Sequence, residues 1–206
     1  DLGLLNEFFR LKLPLSLSVL PRSSHTAEIA EIGRRKGYEL MLHLPMEPKN
    51  FPRLDPGPGA LFADMSPEEI RGIMASHLGQ VRGARGVNNH MGSSFSERRD
   101  KMAVVLGELK KRGLFYVDSR TTKETVAFGM AREMGVPAAR RSVFLDNDLS
   151  PKALKLQMER LLGLARVSGA GLGIGHPHPQ TMEVLKGYLP VLHREFRVVH
   201  VADIVD

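Results

Sequence analysis

Histidine and carboxylate side chains recur at one kind of place in this sequence, just where an apolar run stops. The run over 39–44 closes on Leu42-His43-Leu44-Pro45-Met46-Glu47, and that over 85–89 closes on Asn88-Asn89-His90. The run over 114–118 closes on Asp118, that over 141–145 on Asp146, and that over 170–175 on His176-Pro177-His178-Pro179. If these runs are parallel strands, their C-terminal edge is where β/α folds assemble active sites. A single polar residue there is an ordinary helix cap, and Asp118 and Asp146 each fit that reading. Five consecutive strand ends, three of them carrying His, are more than capping requires. Both His176 and His178 precede a proline, which pushes each to extended backbone. In an extended chain, residues two apart point to one side, so the two imidazoles face the same way. His25, His77, His193 and His200 lie away from strand ends and read as structural or exposed.

Imidazole and carboxylate together make a divalent-metal site with a water position left open, suited to zinc, manganese, nickel or cobalt. Such an ion lowers the pKa of water and polarises a carbonyl. A further His beside it would serve as a general acid. The chemistry is metal-assisted hydrolysis, with the substrate left open by these residues.

The elements that would position these groups alternate. Strand-like runs cover 15–20, 39–44, 85–89, 114–118, 141–145, 170–175 and 196–201. Between them, Thr26 opens a helix to about Lys36, with Gly37 behind it as a left-handed cap. Ser66-Pro67-Glu68-Glu69 is a capping box opening a helix to about Val81. Ser96 opens one to about Arg112, and Thr122 one to about Met134. The helix after Ser150-Pro151 carries Leu154, Met158, Leu161, Leu162 and Ala165 on one face. The last helix starts near Thr181 and is interrupted or ended near Pro190. Between 45 and 64 five prolines mark a long irregular loop, of a length that is uncommon and often functional.

This alternation predicts an α/β fold with a mainly parallel sheet, as a barrel rather than an open sheet. No phosphate loop marks a switch point: the alternating Gly169, Gly171, Gly173 and Gly175 fit neither the dinucleotide fingerprint nor the P-loop. They read as a tightly packed strand.

With 206 residues the chain is read as one domain, able to bury a core without disulfides. Hydrophobic residues make up 42% and charged ones 25%, which excludes wholesale disorder. No apolar run approaches the ~20 residues of a membrane span. The absence of Cys excludes thiolate nucleophiles and Cys-ligated zinc, so any metal must use His, Asp, Glu or carbonyl oxygen. The balance of 29 Lys+Arg against 23 Asp+Glu leaves +6, in clusters without interleaved aromatics. That pattern reads as solvated surface rather than a nucleic-acid reader, with an anionic polymer or membrane surface as its one suggestive partner. No signal peptide is visible, and the opening Asp1-Leu2-Gly3 without Met reads as a piece of a longer protein.

Several blocks, in order, resemble the divergent polysaccharide deacetylase family: Asp1-Leu2-Gly3, Pro14-Leu15 through Leu20-Pro21, Leu42 through Pro48, Gly86 through Ser93, Val117 through Thr121, and Gly175 through Pro179. The resemblance covers nearly the whole chain. It implies a deformed (β/α) barrel of about seven or eight mainly parallel strands, with most of the first strand lacking here and residues missing after Gly3. It also implies export to the periplasm or cell envelope, and removal of acetyl groups from an envelope carbohydrate by attack of metal-bound water. The family's first strand ends in an Asp pair, of which Asp1 matches the second, the metal ligand. The first, the general base, would lie before this chain. The family's next motif is two His four apart, where this chain has His43 and Glu47. The implied metal set, with zinc expected, is then Asp1, His43 and His90, with Glu47 as substitute. His176 or His178 is the implied general acid and Asp118 its orienting carboxylate. Asn88, Asn89 and Asp146 are expected to support the site or bind substrate.

Two other readings accompany this one. A non-catalytic envelope protein could keep the barrel and bind a glycan or a partner; the changed ligand motif and the absence of Trp favour it. Hydrolysis or isomerisation of a small sugar is the other, with the proline-rich loop as a lid.

Overall fold

The computed structural model describes residues 2–205. In chain order the elements are α1 (Leu2–Arg10), β1 (Ser16–Val19), α2 (Thr26–Arg35), β2 (Glu39–Met46), α3 (Pro67–Gln80), β3 (Ala84–Met91), α4 (Arg99–Arg112), β4 (Phe115–Asp118), α5 (Ala127–Glu133), β5 (Ala138–Arg140), β6 (Val143–Phe144), α6 (Pro151–Ser168), β7 (Gly173–Ile174) and α7 (Pro179–Glu195). They fall into two compact units: residues 16–140, and residues up to 15 together with 141–204.

The larger unit is a five-stranded sheet in the order β1-β2-β3-β4-β5, every neighbour parallel. This sequential order is what strand–helix alternation produces. The register pairs Leu42 with Val87, His43 with Asn88, Leu44 with Asn89 and Asn88 with Val117. Side chains alternate across a strand, so each face of the sheet can be read off. Leu42, Leu44, Met46, Val87 and Tyr116 form one face and sit in the main core. His43, Asn88, His90 and Val117 form the other. In β2 His43 is the one position not fully buried, in a strand otherwise covered on both faces, as central parallel strands are.

The expected caps govern the helices. Ser66 accepts from Glu69 N while Glu69 bonds Ser66 N, with Pro67 at the first turn. Gly113 closes α4 with φ 65°. Ser150 caps α6, which buries Leu154, Met158 and Leu162.

The smaller unit pairs β6 with β7 in parallel, Val143 to Gly173 and Phe144 to Ile174. Here the sequence misleads in three ways. Residues 2–10 form a helix, not the remnant of a strand, because Leu4, Phe8 and Leu11 pack in one cluster with Leu162 and Leu192. Helix α7 runs through Pro190 to Glu195. Proline costs a helix ~3 kcal/mol, but Leu185, Tyr188, Leu189, Val191 and Leu192 bury apolar surface on both sides of it. Residues 196–200 form no strand; Phe196 and Val198 pack onto that cluster, and Arg166 lies 5.1 Å over the Phe196 ring.

In the larger unit, Ala138–Arg140 is a strand that the alanine-rich run does not announce. Helix α5 begins at Ala127 rather than Thr122, whose hydroxyl bonds Glu97 and Glu124 instead. The proline-rich loop is closed at its base: Leu61 N bonds Pro45 O, and Glu47 N bonds Leu61 O.

Candidate functional site

The parallel register brings the β2 and β3 histidines together. His43 lies beside Asn88, and His90 follows one pleat later on the same face. His43 Nδ1 is 2.9 Å from Asn88 Oδ1, and His43 Nε2 is 3.1 Å from His90 Nδ1. The rings meet edge-on at 70°, with centroids 4.8 Å apart.

The surrounding network sets the tautomer of His43. Asn88 Nδ2 donates to Ser119 Oγ, which itself donates to Asn89 O. Asn88 Oδ1 is therefore the acceptor, and it also receives the Ser18 hydroxyl. His43 Nδ1 must carry the proton, leaving the lone pair on Nε2, the atom that meets His90. An imidazole that donates one N–H to a carbonyl and turns its other nitrogen to a common point is the usual form of a metal-ligating His. Two nitrogens at ~2.0–2.1 Å from a tetrahedral ion stand about 3.3–3.4 Å apart. The observed 3.1 Å is close to that edge. The pair therefore fits an imidazole-preferring divalent ion. Asp1, expected as its third ligand, lies outside the described residues.

Asn89, on the opposite face, braces the strand end. Its Oδ1 accepts Ser119 N and the hydroxyl of fully buried Tyr116, and its Nδ2 donates to Met91 O at 2.7 Å. Met91 and Gly92 then turn the chain with φ 52° and 86°. A Cβ on Gly92 would stand 2.9 Å from Met46 Cβ, so both the conformation and the close approach require glycine.

Two expected residues are committed elsewhere. Glu47 accepts Ala63 N at 2.6 Å and Ser94 Oγ at 3.3 Å, clasping the long loop rather than presenting a ligand. Asp118 accepts Arg120 N at 2.8 Å, Thr125 Oγ1 at 2.9 Å and Phe128 N at 3.2 Å. It sits on the Asn89 face and holds the start of α5, and none of these three bonds is to a histidine.

The carboxylate against His176 is Asp146. The β6–β7 register, extended two residues past Phe144 and Ile174, sets Asp146 opposite His176. Asp146 Oδ1 is 3.0 Å from His176 Nδ1; its Oδ2 accepts Thr181 Oγ1 at 3.0 Å and His176 N at 2.5 Å. Phe144 stacks on the imidazole, 6.3 Å between centroids and 9° between planes, and Arg141 lies 4.0 Å over Phe144. The hydrogen bond to Asp146 raises the His176 pKa against the lowering effect of burial. Burial pushes Asp146 up, but its bonds from His176 and Thr181 outweigh that and lower its pKa. The pair favours imidazolium beside carboxylate, with Nε2–H as the proton to give. His178 joins them: one ligand atom from each of Asp146, His176 and His178 lies within 4.8 Å of the others.

Sequence reading missed Ser18, Thr181 and Phe144. Ser18 and Thr181 act through single hydroxyls reaching across the fold, for which no local spacing exists. Phe144 precedes Asp146 by two and shares its face, a signal that strand periodicity does carry.

Compared with known proteins, the model of the divergent polysaccharide deacetylases matches residues 1–205. The chain belongs to that family. Among relatives in this divergent deacetylase group, it is 36% identical over 181 residues to the uncharacterized protein YibQ of Escherichia coli, covering 88% of this chain and 56% of that protein. It is 29% identical over 191 residues to an uncharacterized protein of Haemophilus influenzae, covering 93% and 68%. The chain thus spans little more than half the length of YibQ. A crystal structure of an uncharacterized protein from Agrobacterium tumefaciens matches with a TM-score of 0.93 over 100% of this chain and 84% of that one, at 21% identity. That likeness is one of fold, and it agrees with the deformed, mainly parallel β/α class expected for a divergent deacetylase. No helix among the described residues is long and apolar enough to cross a membrane.

Proposed function

We propose that this chain is a metal-dependent hydrolase that removes acetyl groups from a cell-envelope carbohydrate. The convergence of His43 Nε2 and His90 Nδ1 at 3.1 Å carries this reading. His43 and His90, with Asp1 by the family pattern, would hold the ion, for which zinc suits the donor set. When bound, such an ion lowers the pKa of water and polarises a carbonyl.

This chain's own residues supply the rest. Asn88 keeps the Nε2 lone pair of His43 on the ion's side. Asp146 raises the His176 pKa through its bond to Nδ1, which leaves Nε2 as the nitrogen for proton transfer. On chemical grounds His176 is the donor that protonates the leaving amine or alkoxide as the acetyl bond breaks. Asp146 stays ionised throughout, stabilising the imidazolium as a carboxylate behind a histidine does. Family membership supports an acetylated sugar as substrate and the cell envelope as the place of action.

Acetate release from acetylated chito-oligosaccharides and peptidoglycan fragments, with added zinc, manganese or cobalt, tests the proposal. Activity should fall by at least ~100-fold in His176→Ala. Metal content should fall in His43→Ala and His90→Ala. Unchanged metal content in both variants would refute the ligand assignment.

The binding-only alternative draws on Glu47, which stands where the family's second motif histidine would be and is tied to the loop. Silence in the acetate assay across substrates and metals, with retained binding to the same glycans, would favour it.

A further inference from the structure

We propose that Asp146, His176 and His178 form a second divalent-metal site, which takes zinc or a similar imidazole-preferring ion and, when filled, withdraws His176 from proton donation. The binding stands on these three residues alone; its consequence rests on the donor role proposed above.

Two imidazoles and a carboxylate with an open position are a donor set that zinc takes in hydrolases. Among the described residues this is the one group of three such side chains whose ligand atoms converge within 4.8 Å. The carboxylate is fixed before any ion arrives. The Asp146 side chain is fully buried, and its Oδ2 is held by Thr181 Oγ1 and His176 N. Its Oδ1 faces His176. The imidazoles ride on a stiff segment: Pro177 and Pro179 restrict the backbone, His178 N bonds His176 O at 2.8 Å, and His178 stands at the mouth of α7 with φ −99° and ψ 144°.

Proton donation needs Asp146 and His176 only, and gives no work to His178. Its ring centroid is 6.0 Å from that of His176. A tetrahedral ion would draw the ligand atoms to about 3.3–3.4 Å, which a rotation of the His178 side chain can supply. The His176 ring is about half exposed, at 48%, which gives an ion access from solvent. An ion held by His176 Nδ1 and Asp146 Oδ1 replaces the hydrogen now joining them, which leaves to solvent. Because filling it gives up the Asp146–His176 hydrogen bond and requires His178 to turn, this is the weaker site.

Zinc titration calorimetry on the intact chain tests the proposal, using wild type, His178→Ala, His178→Gln and the His43→Ala/His90→Ala double variant. Wild type should bind two ions per chain. Both His178 variants should lose the weaker event, by tenfold or more in affinity, and keep the tighter one. The double variant should keep the weaker event, and excess zinc should slow acetate release by wild type. A weaker event unchanged in both His178 variants overturns the proposal. So does a double variant that binds no zinc, a result that leaves the His43–His90 reading intact. A double variant with both events unchanged supports the present site while removing that reading.

Discussion

Replacing Asn88 separates the geometry of the proposed metal site from mere folding. Its buried side chain makes three hydrogen bonds: it accepts from His43 Nδ1 and Ser18 Oγ and donates to Ser119 Oγ. At about 1 kcal/mol net per bond, Asn88→Ala should cost the fold about 3 kcal/mol. Losing the partner that orients a metal-ligating imidazole typically lowers metal affinity by about 10–100-fold. Asn88→Asp keeps an oxygen facing His43, loses the longest bond, to Ser119 at 3.3 Å, and adds a buried carboxylate whose charge the imidazole N–H partly offsets. It should hold zinc nearly as tightly as wild type. Two readouts distinguish positioning from bulk destabilisation. Long-range nitrogen–proton NMR of the metal-free chain reads the His43 tautomer, expected as Nδ1–H in wild type and Asn88→Asp and mixed in Asn88→Ala. Competition with a chromophoric chelator reads the tighter zinc affinity. A folded Asn88→Ala protein with wild-type tautomer and affinity would refute the argument. An Asn88→Asp protein as weak as Asn88→Ala would do the same.

Four further substitutions have outcomes that follow from the structure. Asp146→Asn should lower the His176 pKa, read by NMR titration, because the bond that raises it is weakened while the burial that lowers it remains; an unchanged titration would contradict the pairing. Gly92→Ala should destabilise by more than ~1 kcal/mol, given φ 86° and the approach to Met46. Gly107→Ala in α4, where a Cβ meets nothing within 4 Å, should stabilise by about 0.5–1 kcal/mol; denaturant midpoints moving in one direction for both would discredit the comparison. His77 is fully buried, bonds Gly59 O through Nε2 and has its pKa lowered first by burial. Its neutral form is the folded one, so its contribution is complete above the unfolded value near 6.5 and is lost as pH falls towards the folded pKa. In His77→Gln the drop in unfolding midpoint between pH 7.5 and 5.5 should shrink.

The alternation of strands and helices, the capping box at Ser66 and the apolar face of α6 were legible because each is local. The failures share one physical cause. Helix α1, the passage of α7 through Pro190 and the irregular 196–200 stretch are all decided by the cluster around Leu162 and Leu192. That cluster gathers residues from the two ends of the chain, where no local pattern can announce it.

The strand ends show how far periodicity reaches. In β2 the unbroken apolar set Leu40, Leu42, Leu44 and Met46 assigns His43 to the opposite face, and the β3 register then fixes Asn88 and His90 beside it. In β4 all four residues are buried, so alternation has no contrast to display. The family resemblance implies Asp118 as a histidine's partner and nothing in the run opposes it, whereas its bonds place it on the Asn89 face, anchoring α5. Asp146 and His176 were each visible as strand ends, but their pairing needed a register: both stand two residues beyond the Phe144–Ile174 pair. A histidine and a carboxylate equally far past paired parallel strands meet on one face by geometry alone. That parity rule selects Asp146 over Asp118 from the strand ends themselves, given the single assumption that β6 and β7 are neighbours.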